Sequence, residues 1–106
     1  FRETCRINWH QPTKKVYDFI RGLSPYPAAW TTLNGKSVKI YETEKVENSA
    51  HTQEPGTIRT DGKTKLEIAT ADGFLNVKSL QMEGKKRMPI SDLLRGFKLE
   101  ENNFFV

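Results

Sequence analysis

Three turn dipeptides constrain the fold of this 106-residue chain more than any other feature of its sequence. They are Asn34-Gly35, Asp61-Gly62 and Asp72-Gly73. Asn-Gly and Asp-Gly suit the two-residue type I′ turn, in which both central residues have positive φ, so each dipeptide predicts a tight hairpin. The stretches between the dipeptides are short, and several alternate apolar with polar residues, as strands with one buried face do. The sequence therefore predicts a mainly β domain.

Five strands are predicted around these turns, at residues 28–33, 36–46, 57–60, 63–71 and 74–82, with a polar loop at 48–55. In the last strand Leu75 and Val77 share one parity, whereas Leu80 and Met82 share the other. Such a phase change near Ser79 is typical of a β-bulge. Five short strands with a bulge favour an OB-like open barrel over a flat sheet with two free edges.

One helix is predicted before the strands and a shorter one after them. Helical i, i+3, i+4 and i+7 spacing gives the first helix one apolar stripe, made of Val16, Phe19, Ile20 and Leu23. Pro12 suits its first helical position, with Gln11 as the capping residue. The second helix has Pro89 at its start, followed by the apolar residues Ile90, Leu93, Leu94 and Phe97. We expect residues 1–106 to form a single domain.

The usual signatures of catalysis are absent from the sequence. His10 and His51 have no cysteine or carboxylate at metal-ligand spacing, so no metal site is predicted. Cys5 and His10 lack an orienting Asn or Asp in any known pattern, and no glycine-rich phosphate loop is present. We therefore expect no catalytic residues and no cofactor in this chain.

The positive charge is concentrated in two blocks of the sequence. Residues 1–40 carry seven lysines and arginines against two acids, and residues 74–98 carry six against two, with an acidic stretch between them. This uneven distribution of charge favours a polyanionic partner. The alternative interpretation is that the lysines are ordinary solvated surface residues.

The sharpest basic cluster is Lys85-Lys86-Arg87, which follows Gly84. Three adjacent cations on a loop repel one another unless an anion neutralises them, and phosphate oxygens would do so. A solubilising turn is the alternative interpretation. Further candidates for the same phosphate-binding surface are Lys14, Lys15, Arg21, Lys36, Lys39 and Lys78.

Trp9, Tyr26 and Trp30 are candidates for stacking on nucleic-acid bases. Each of them adjoins an apolar or proline-rich turn. That context favours positions in the core, or positions that clamp a helix, for all three aromatic rings.

Several motifs, taken together and in order, resemble the carboxy-terminal domain of the methionyl-tRNA formyltransferase family. They are Ile7-Asn8-Trp9, the run IRGLSPYPAAWT at 20–31, Asn34-Gly35-Lys36, Pro55-Gly56-Thr57-Ile58, Ala71-Asp72-Gly73, Leu80-Gln81, the segment 84–88 and Asp92-Leu93-Leu94. The departures are small: Asn8 stands where the family often has Asp, Ser24 where it has Asn, Tyr26 where it has Trp, and Pro89 where a capping Ser is common.

The resemblance implies a larger parent enzyme that acts in translation initiation. Such an enzyme transfers a formyl group from 10-formyltetrahydrofolate to the amino group of methionine on initiator tRNA. Its amino-terminal catalytic domain, which binds the folate, would precede this chain and act with it in cis. The present OB-like domain would bind initiator methionyl-tRNA through its basic residues. The resemblance further implies a bacterial, cytoplasmic monomer with no membrane association.

Two other interpretations remain open at this point. The same carboxy-terminal fold occurs in formyltetrahydrofolate dehydrogenases and sugar-nucleotide formyltransferases, where it would be a structural module that binds no RNA. A free-standing single-strand-binding OB domain would instead place aromatic residues on the exposed strand face. In this sequence, the strand residues that alternate with the apolar ones are mainly Lys, Glu, Thr and Asn rather than aromatic residues.

Overall fold

A computed structural model describes residues 2–46, 54–96 and 105–106 of the chain. Its elements are a 3₁₀ helix (Arg2–Cys5), α1 (Thr13–Leu23), β1 (Ala29–Leu33), β2 (Lys36–Lys45), β3 (Ile58–Thr60), β4 (Leu66–Ala69), β5 (Phe74–Met82), β6 (Met88–Pro89) and α2 (Ile90–Gly96). The predicted mainly β class with a helix before and after the strands is confirmed. The two-residue β6 was missed because it is too short to show alternation. Most of the predicted 48–55 loop, and Phe97, lie outside the described residues.

The strands form one antiparallel sheet in the order β1-β2-β5-β4-β3, and β6 pairs with β5. Along the β2–β5 pair, Ile40 lies opposite Leu80, but Glu42 lies opposite Ser79 and Thr43 opposite Val77. Each strand therefore carries one extra residue at this point, Tyr41 in β2 and Lys78 in β5. This bulge confirms the predicted phase change near Ser79 and keeps both halves of β5 buried.

The last two residues of the chain bring the two edges of the sheet together. Val106 and Thr32 of β1 exchange two backbone hydrogen bonds of 3.0 and 3.1 Å. The Phe105 N–H donates to the carbonyl of Gly56, just before β3, at 2.9 Å. Because β1 and β3 are the edge strands, this link closes the sheet toward the open barrel that the sequence predicts.

Asn34-Gly35 forms the predicted two-residue turn, with φ of 53° and 80° and with Leu33 paired to Lys36. Asp61-Gly62 also lies in a hairpin, and Gly62 has a φ of 76°. That connection is longer than two residues, because one carboxylate oxygen of Asp61 accepts the backbone N–H groups of residues 63, 64 and 65. Residues 63–65 consequently lie in the loop, and β4 is shorter than predicted.

The prediction of a two-residue turn at Asp72-Gly73 is wrong. Ala69 pairs with Phe74, so the β4–β5 hairpin has a four-residue connection at 70–73. Gly73 is not among the glycines with positive φ. Instead, the Thr70 hydroxyl closes the loop by donating to the carbonyl of Gly73 at 3.0 Å and accepting its N–H at 3.1 Å.

Helix α1 begins one residue later than predicted, at Thr13, and Pro12 rather than Gln11 is its N-cap residue. Proline has no side-chain acceptor for the free N–H groups of the first turn. Asp72 of the β4–β5 connection supplies one, accepting the Thr13 N–H at 2.8 Å. Val16 and Ile20 of α1 are buried in the core, as the apolar stripe predicts.

The core joins the helices to the inner face of the sheet. Its fully buried strand residues include Val38, Ile40, Leu66, Ile68, Leu75, Val77 and Leu80. Helix α2 adds Ile90, Leu93 and Leu94 to the same cluster. Neither α1 nor α2, the two α-helices in the described ranges, is long and apolar enough to cross a membrane.

Candidate nucleic-acid interface

Three outward-facing side chains form a row that runs from the edge strand β1 across β2 to the central strand β5. Trp30 of β1 pairs with Lys39 of β2, which pairs with Gln81 of β5. Since Val38 and Ile40 are buried, Lys39 points to the opposite, outer face, where it is exposed. Gln81 accepts a 2.7 Å hydrogen bond from the Tyr41 hydroxyl and donates one of 2.8 Å to the carbonyl of Lys85. Gln81 therefore attaches the β5–β6 loop to this row.

Arg87 is held firmly against the same face. Its guanidinium donates to a carboxylate oxygen of Glu42 at 2.8 Å and to the Ser79 hydroxyl at 3.3 Å, and it lies 4.4 Å from the centre of the Tyr41 ring. The β2 bulge makes these contacts possible because it allows both Tyr41 and Glu42 to reach Arg87. The expectation of three unneutralised cations in this loop is therefore wrong for Arg87.

Lys85 and Lys86 are exposed, and among the described residues neither side chain has a partner. The backbone beneath them is nonetheless fixed, since the Lys85 N–H donates to the Met82 carbonyl at 2.9 Å and Gly84 adopts a φ of 78°. Glu83 faces β2, where it accepts the Ser37 N–H at 3.1 Å. The loop thus presents two ammonium groups that have no side-chain partner in the part of the chain that the structure describes.

Lys36 lies beside the β5–β6 loop on the side of the sheet that carries Val38, whereas Lys39 lies on the outer side. Lys36 is exposed at the start of β2 and lines a groove of about 370 Å³ together with Lys85, Met82 and Met88. We call the surface formed by the five residues Lys36, Lys39, Lys85, Lys86 and Arg87 the loop cation face. The structure thus places five of the nine predicted basic residues around the β5–β6 loop, with Lys36 and Lys39 on opposite sides of β2.

The other four predicted residues have different surroundings. Lys14 and Arg21 both pair with Asp18, at 2.9 and 3.4 Å, and the Lys14 ammonium holds the pKa of Asp18 below its usual value. Lys78 pairs with Glu44 at 3.1 Å, whereas Lys15 is exposed with no side-chain partner in the described ranges.

Helix α1 meets β2 near the end of that strand. Arg21 and Lys45 both lie over the Tyr17 ring, at 5.8 and 5.3 Å from its centre. Lys45 is six residues beyond Lys39 in β2, about 20 Å of extended strand. The structure therefore places the helical cations away from the loop cation face.

Of the three aromatic candidates expected in the core, two are buried: Trp9 lies in the core cluster, and Trp30 lies on the outer face of the sheet beneath Arg6. Trp9 and Trp30 are 2% and 8% exposed, and the Trp9 indole N–H donates to the Thr31 hydroxyl at 3.0 Å. Tyr26 is 88% exposed, so its core assignment is wrong. The prolines on both sides of Tyr26 direct the chain through a surface turn rather than into the barrel.

Sequence reasoning missed one cation of this region, Arg6. Its guanidinium lies 5.4 Å from the centre of the Trp30 ring, beside the row that contains Lys39. The signal was present in the sequence, because Cys5, Ile7 and Trp9 alternate with polar residues, and the three are buried while Arg6 is exposed. The segment also forms a parallel bridge to Trp30.

Cys5 and His10, the two residues considered as a catalytic pair, have different surroundings. Cys5 is buried, and exposed His10 lies 3.8 Å from a carboxylate oxygen of Glu54. Within the ranges that the structure describes, no group of three or more His, Cys, Asp or Glu side chains could hold a metal ion.

Comparison with known proteins places this chain in a family. Residues 1–98 match the family described as formyl transferase, C-terminal domain. The chain belongs to this family. A solved structure of HypX from Aquifex aeolicus in complex with tetrahydrofolic acid has the same fold, with a TM-score of 0.65 and 22% identity. The similarity covers 100% of this chain and 21% of that one.

Curated relatives are more similar in sequence. The methionyl-tRNA formyltransferase of Bacteroides fragilis is 59% identical over 106 residues, which cover 95% of this chain and 32% of that protein. The enzymes of the same name from Phocaeicola vulgatus and Flavobacterium johnsoniae are 56% and 44% identical, over 97% and 90% of this chain and 33% and 31% of theirs. The chain thus spans about a third of the length of these bacterial relatives, and the resemblance predicted from its motifs is confirmed.

Proposed function

We propose that this chain is the tRNA-binding carboxy-terminal domain of a methionyl-tRNA formyltransferase, which formylates the methionine carried by initiator tRNA. The observation that carries this proposal is the 59% identity to the Bacteroides fragilis enzyme over 95% of the chain. Relatives of that name favour this function over a structural module of a formyltetrahydrofolate dehydrogenase or a sugar-nucleotide formyltransferase.

In this proposal the loop cation face contacts tRNA phosphates. Lys36, Lys39, Lys85 and Lys86 are exposed and have no side-chain partner among the described residues, so each ammonium group is available to an anion. Neutralising a phosphate with a lysine releases condensed counterions, which favours binding. Phosphate contacts carry no base identity, so this surface would recognise the shape and charge of the tRNA.

Arg87 has a different part in this surface. Its ion pair with Glu42 and its stacking on Tyr41 hold the β6 side of the loop against β2. Arg87 therefore acts first as a positioning residue that fixes the loop presenting Lys85 and Lys86. Its remaining guanidinium N–H groups can still donate to a phosphate.

Lys14, Lys15 and Arg21 would form a second contact region on α1, whereas Lys78 would contact phosphate from β5, next to the Ser79 that touches Arg87. Asp18 and Glu44 offset part of their charge, which leaves Lys15 as the member without a side-chain partner in the described ranges. A tRNA is long enough to reach both regions, which are separated by about 20 Å of β2. We expect this second region to contribute less affinity than the loop cation face.

The formyl donor, 10-formyltetrahydrofolate, would bind a preceding catalytic domain that acts in cis. In the described residues, every buried side-chain nitrogen and oxygen already has a hydrogen-bond partner, so no unpaired polar group awaits a pterin ring. We expect no formyl transfer by the 106-residue chain alone, and a formylation assay with the donor and methionyl-tRNA would test this. We further expect a cytoplasmic monomer.

The test of RNA binding is a titration of the chain with an initiator tRNA transcript and an elongator tRNA transcript. Four phosphate contacts predict that affinity falls by about a hundredfold between about 50 and 200 mM salt. The two tRNAs should bind about equally. Failure of the chain to bind either tRNA at the lower salt concentration would contradict the proposed function.

A further inference from the structure

Tyr26 is displayed on the surface by a constrained segment of backbone. The side chain is 88% exposed, while Pro25 and Pro27 fix the backbone φ on either side of it. The next residue, Ala28, is buried and donates its N–H to the Leu23 carbonyl at 2.9 Å, which anchors the turn to the end of α1. A ligand that contacts the ring would therefore order little further chain on binding.

A groove beside the ring connects Tyr26 to the loop cation face. The groove has a volume of about 380 Å³, and its walls include Tyr26, Pro27, Trp30 and Lys39. Lys39 belongs to the loop cation face, and Arg6 lies over the adjacent Trp30 ring. An exposed aromatic face and a cation without a side-chain partner in the described ranges therefore share one concave site.

We propose that this groove holds an unpaired nucleotide of the bound RNA, with its base stacked on Tyr26 and its phosphate on Lys39. Every base has a π-face, so an aromatic platform beside a basic groove binds unpaired nucleotides with little sequence preference. The cation in the groove favours this anionic occupant over an apolar protein segment. The inference rests on the proposed function and adds to it a contact that distinguishes unpaired RNA from duplex RNA.

Stacking can be separated from phosphate contact with two substitutions and a matched control. Tyr26→Leu removes the π-face, whereas Tyr26→Phe keeps it. Tyr26→Leu should lower affinity for an initiator tRNA transcript by at least about fivefold without changing the salt slope. Tyr26→Phe should bind as the wild type does. Lys39→Gln should instead reduce the slope by about one.

A fully paired RNA duplex is the second probe in this experiment. It offers no unpaired base, so the wild type and Tyr26→Leu should bind it equally. Equal affinity of the wild type and Tyr26→Leu for tRNA would overturn the inference and leave the proposed function standing. A loss of the same size on the duplex would also overturn the inference. Absence of tRNA binding by the wild type would contradict the proposed function and, with it, this contact.

Discussion

Arg87 and Glu42 form a 2.8 Å ion pair that joins the β5–β6 loop to β2, although 45 residues separate them in sequence. The three consecutive cations at 85–87 consequently have two roles. Arg87 is fixed against the sheet, and the two lysines before it carry charge that no side chain in the described ranges neutralises. Substituting all three residues together would remove the contacts that fix the loop and the charge of its lysines at the same time. Arg87 and the two lysines are therefore substituted in separate variants.

Arg87→Ala should lower the free energy of unfolding by about 0.5–1 kcal/mol, because it removes an exposed ion pair and a cation–π contact. The double variant Lys85→Ala/Lys86→Ala should unfold as the wild type does, since these lysines have no side-chain partner in the described residues. Urea unfolding followed by circular dichroism measures both. Equal stability of Arg87→Ala and the wild type would show that the contacts with Glu42 and Tyr41 contribute nothing.

Asp72 acts as a remote cap for α1, so Asp72→Ala should destabilise the domain by about 1 kcal/mol. One of its carboxylate oxygens accepts both the N–H and the hydroxyl of Thr13, at 2.8 and 2.9 Å. Asp72→Asn keeps an acceptor at this position and should recover most of the loss. If chemical denaturation shows the two variants to be equally unstable, the cap is not the source of the effect.

The same carboxylate should contribute to the acid sensitivity of the fold. The backbone and side-chain hydrogen bonds from Thr13 hold the pKa of Asp72 below its usual value. The folded state therefore favours the ionised form, and the stabilisation is complete above the unfolded pKa of about 3.9. As pH falls through the lower pKa of the folded state, this stabilisation is lost. The stability difference between the wild type and Asp72→Ala should accordingly be constant above about pH 5 and shrink below about pH 4; a difference that stays constant throughout would contradict the assignment.

Closure of the barrel depends on Gly56, which has a φ of 97° and lies against the carbonyl of Phe105. A Cβ at this position would overlap that carbonyl oxygen. Gly56→Ala should therefore cost about 2–4 kcal/mol, from backbone strain together with overpacking.

Gly35→Ala is the matched control for Gly56, because Gly35 has a similar φ of 80° but open space around it. It should cost only the strain, about 1 kcal/mol. The free energies of unfolding of the two variants, measured side by side, isolate the contact with Phe105. Equal losses would mean that the terminal segment does not approach Gly56.

Local rules in the sequence predicted the parts of the fold that depend on neighbouring residues. The Asn34-Gly35 turn follows from backbone preference alone, and the phase change in β5 follows from side-chain alternation. The Asp72-Gly73 turn was predicted wrongly because the Thr70 hydroxyl, rather than a positive φ at glycine, closes that loop. Long-range contacts such as that of Asp72 with Thr13 could not be predicted, because residues near each partner in the sequence do not indicate them.

The candidate site was predictable in its chemistry but not in its arrangement. The basic cluster at 85–87 was visible in the sequence, whereas the neutralisation of Arg87 by Glu42 depends on a bulge that re-aims both Tyr41 and Glu42. Similarly, the sequence predicted one phosphate-binding surface that included both Lys14 and Lys85. The packing of α1 near the end of β2 shows that these two residues lie in different regions. The exposure of Tyr26 depends on how its two flanking prolines direct the turn.

The most direct test of the central claim compares how salt weakens tRNA binding by three proteins. These are the wild type, Lys85→Ala/Lys86→Ala, and Lys63→Ala/Lys65→Ala, which removes two exposed lysines from the ordered β3–β4 loop at the other edge of the sheet. Both double variants lose the same charge. If the loop cation face binds phosphates, the log–log slope should fall by about two for the first variant and remain unchanged for the second. Equal slopes for the wild type and Lys85→Ala/Lys86→Ala would contradict the claim that the loop cation face binds tRNA phosphates. Equal reductions of the slope in both double variants would contradict it as well.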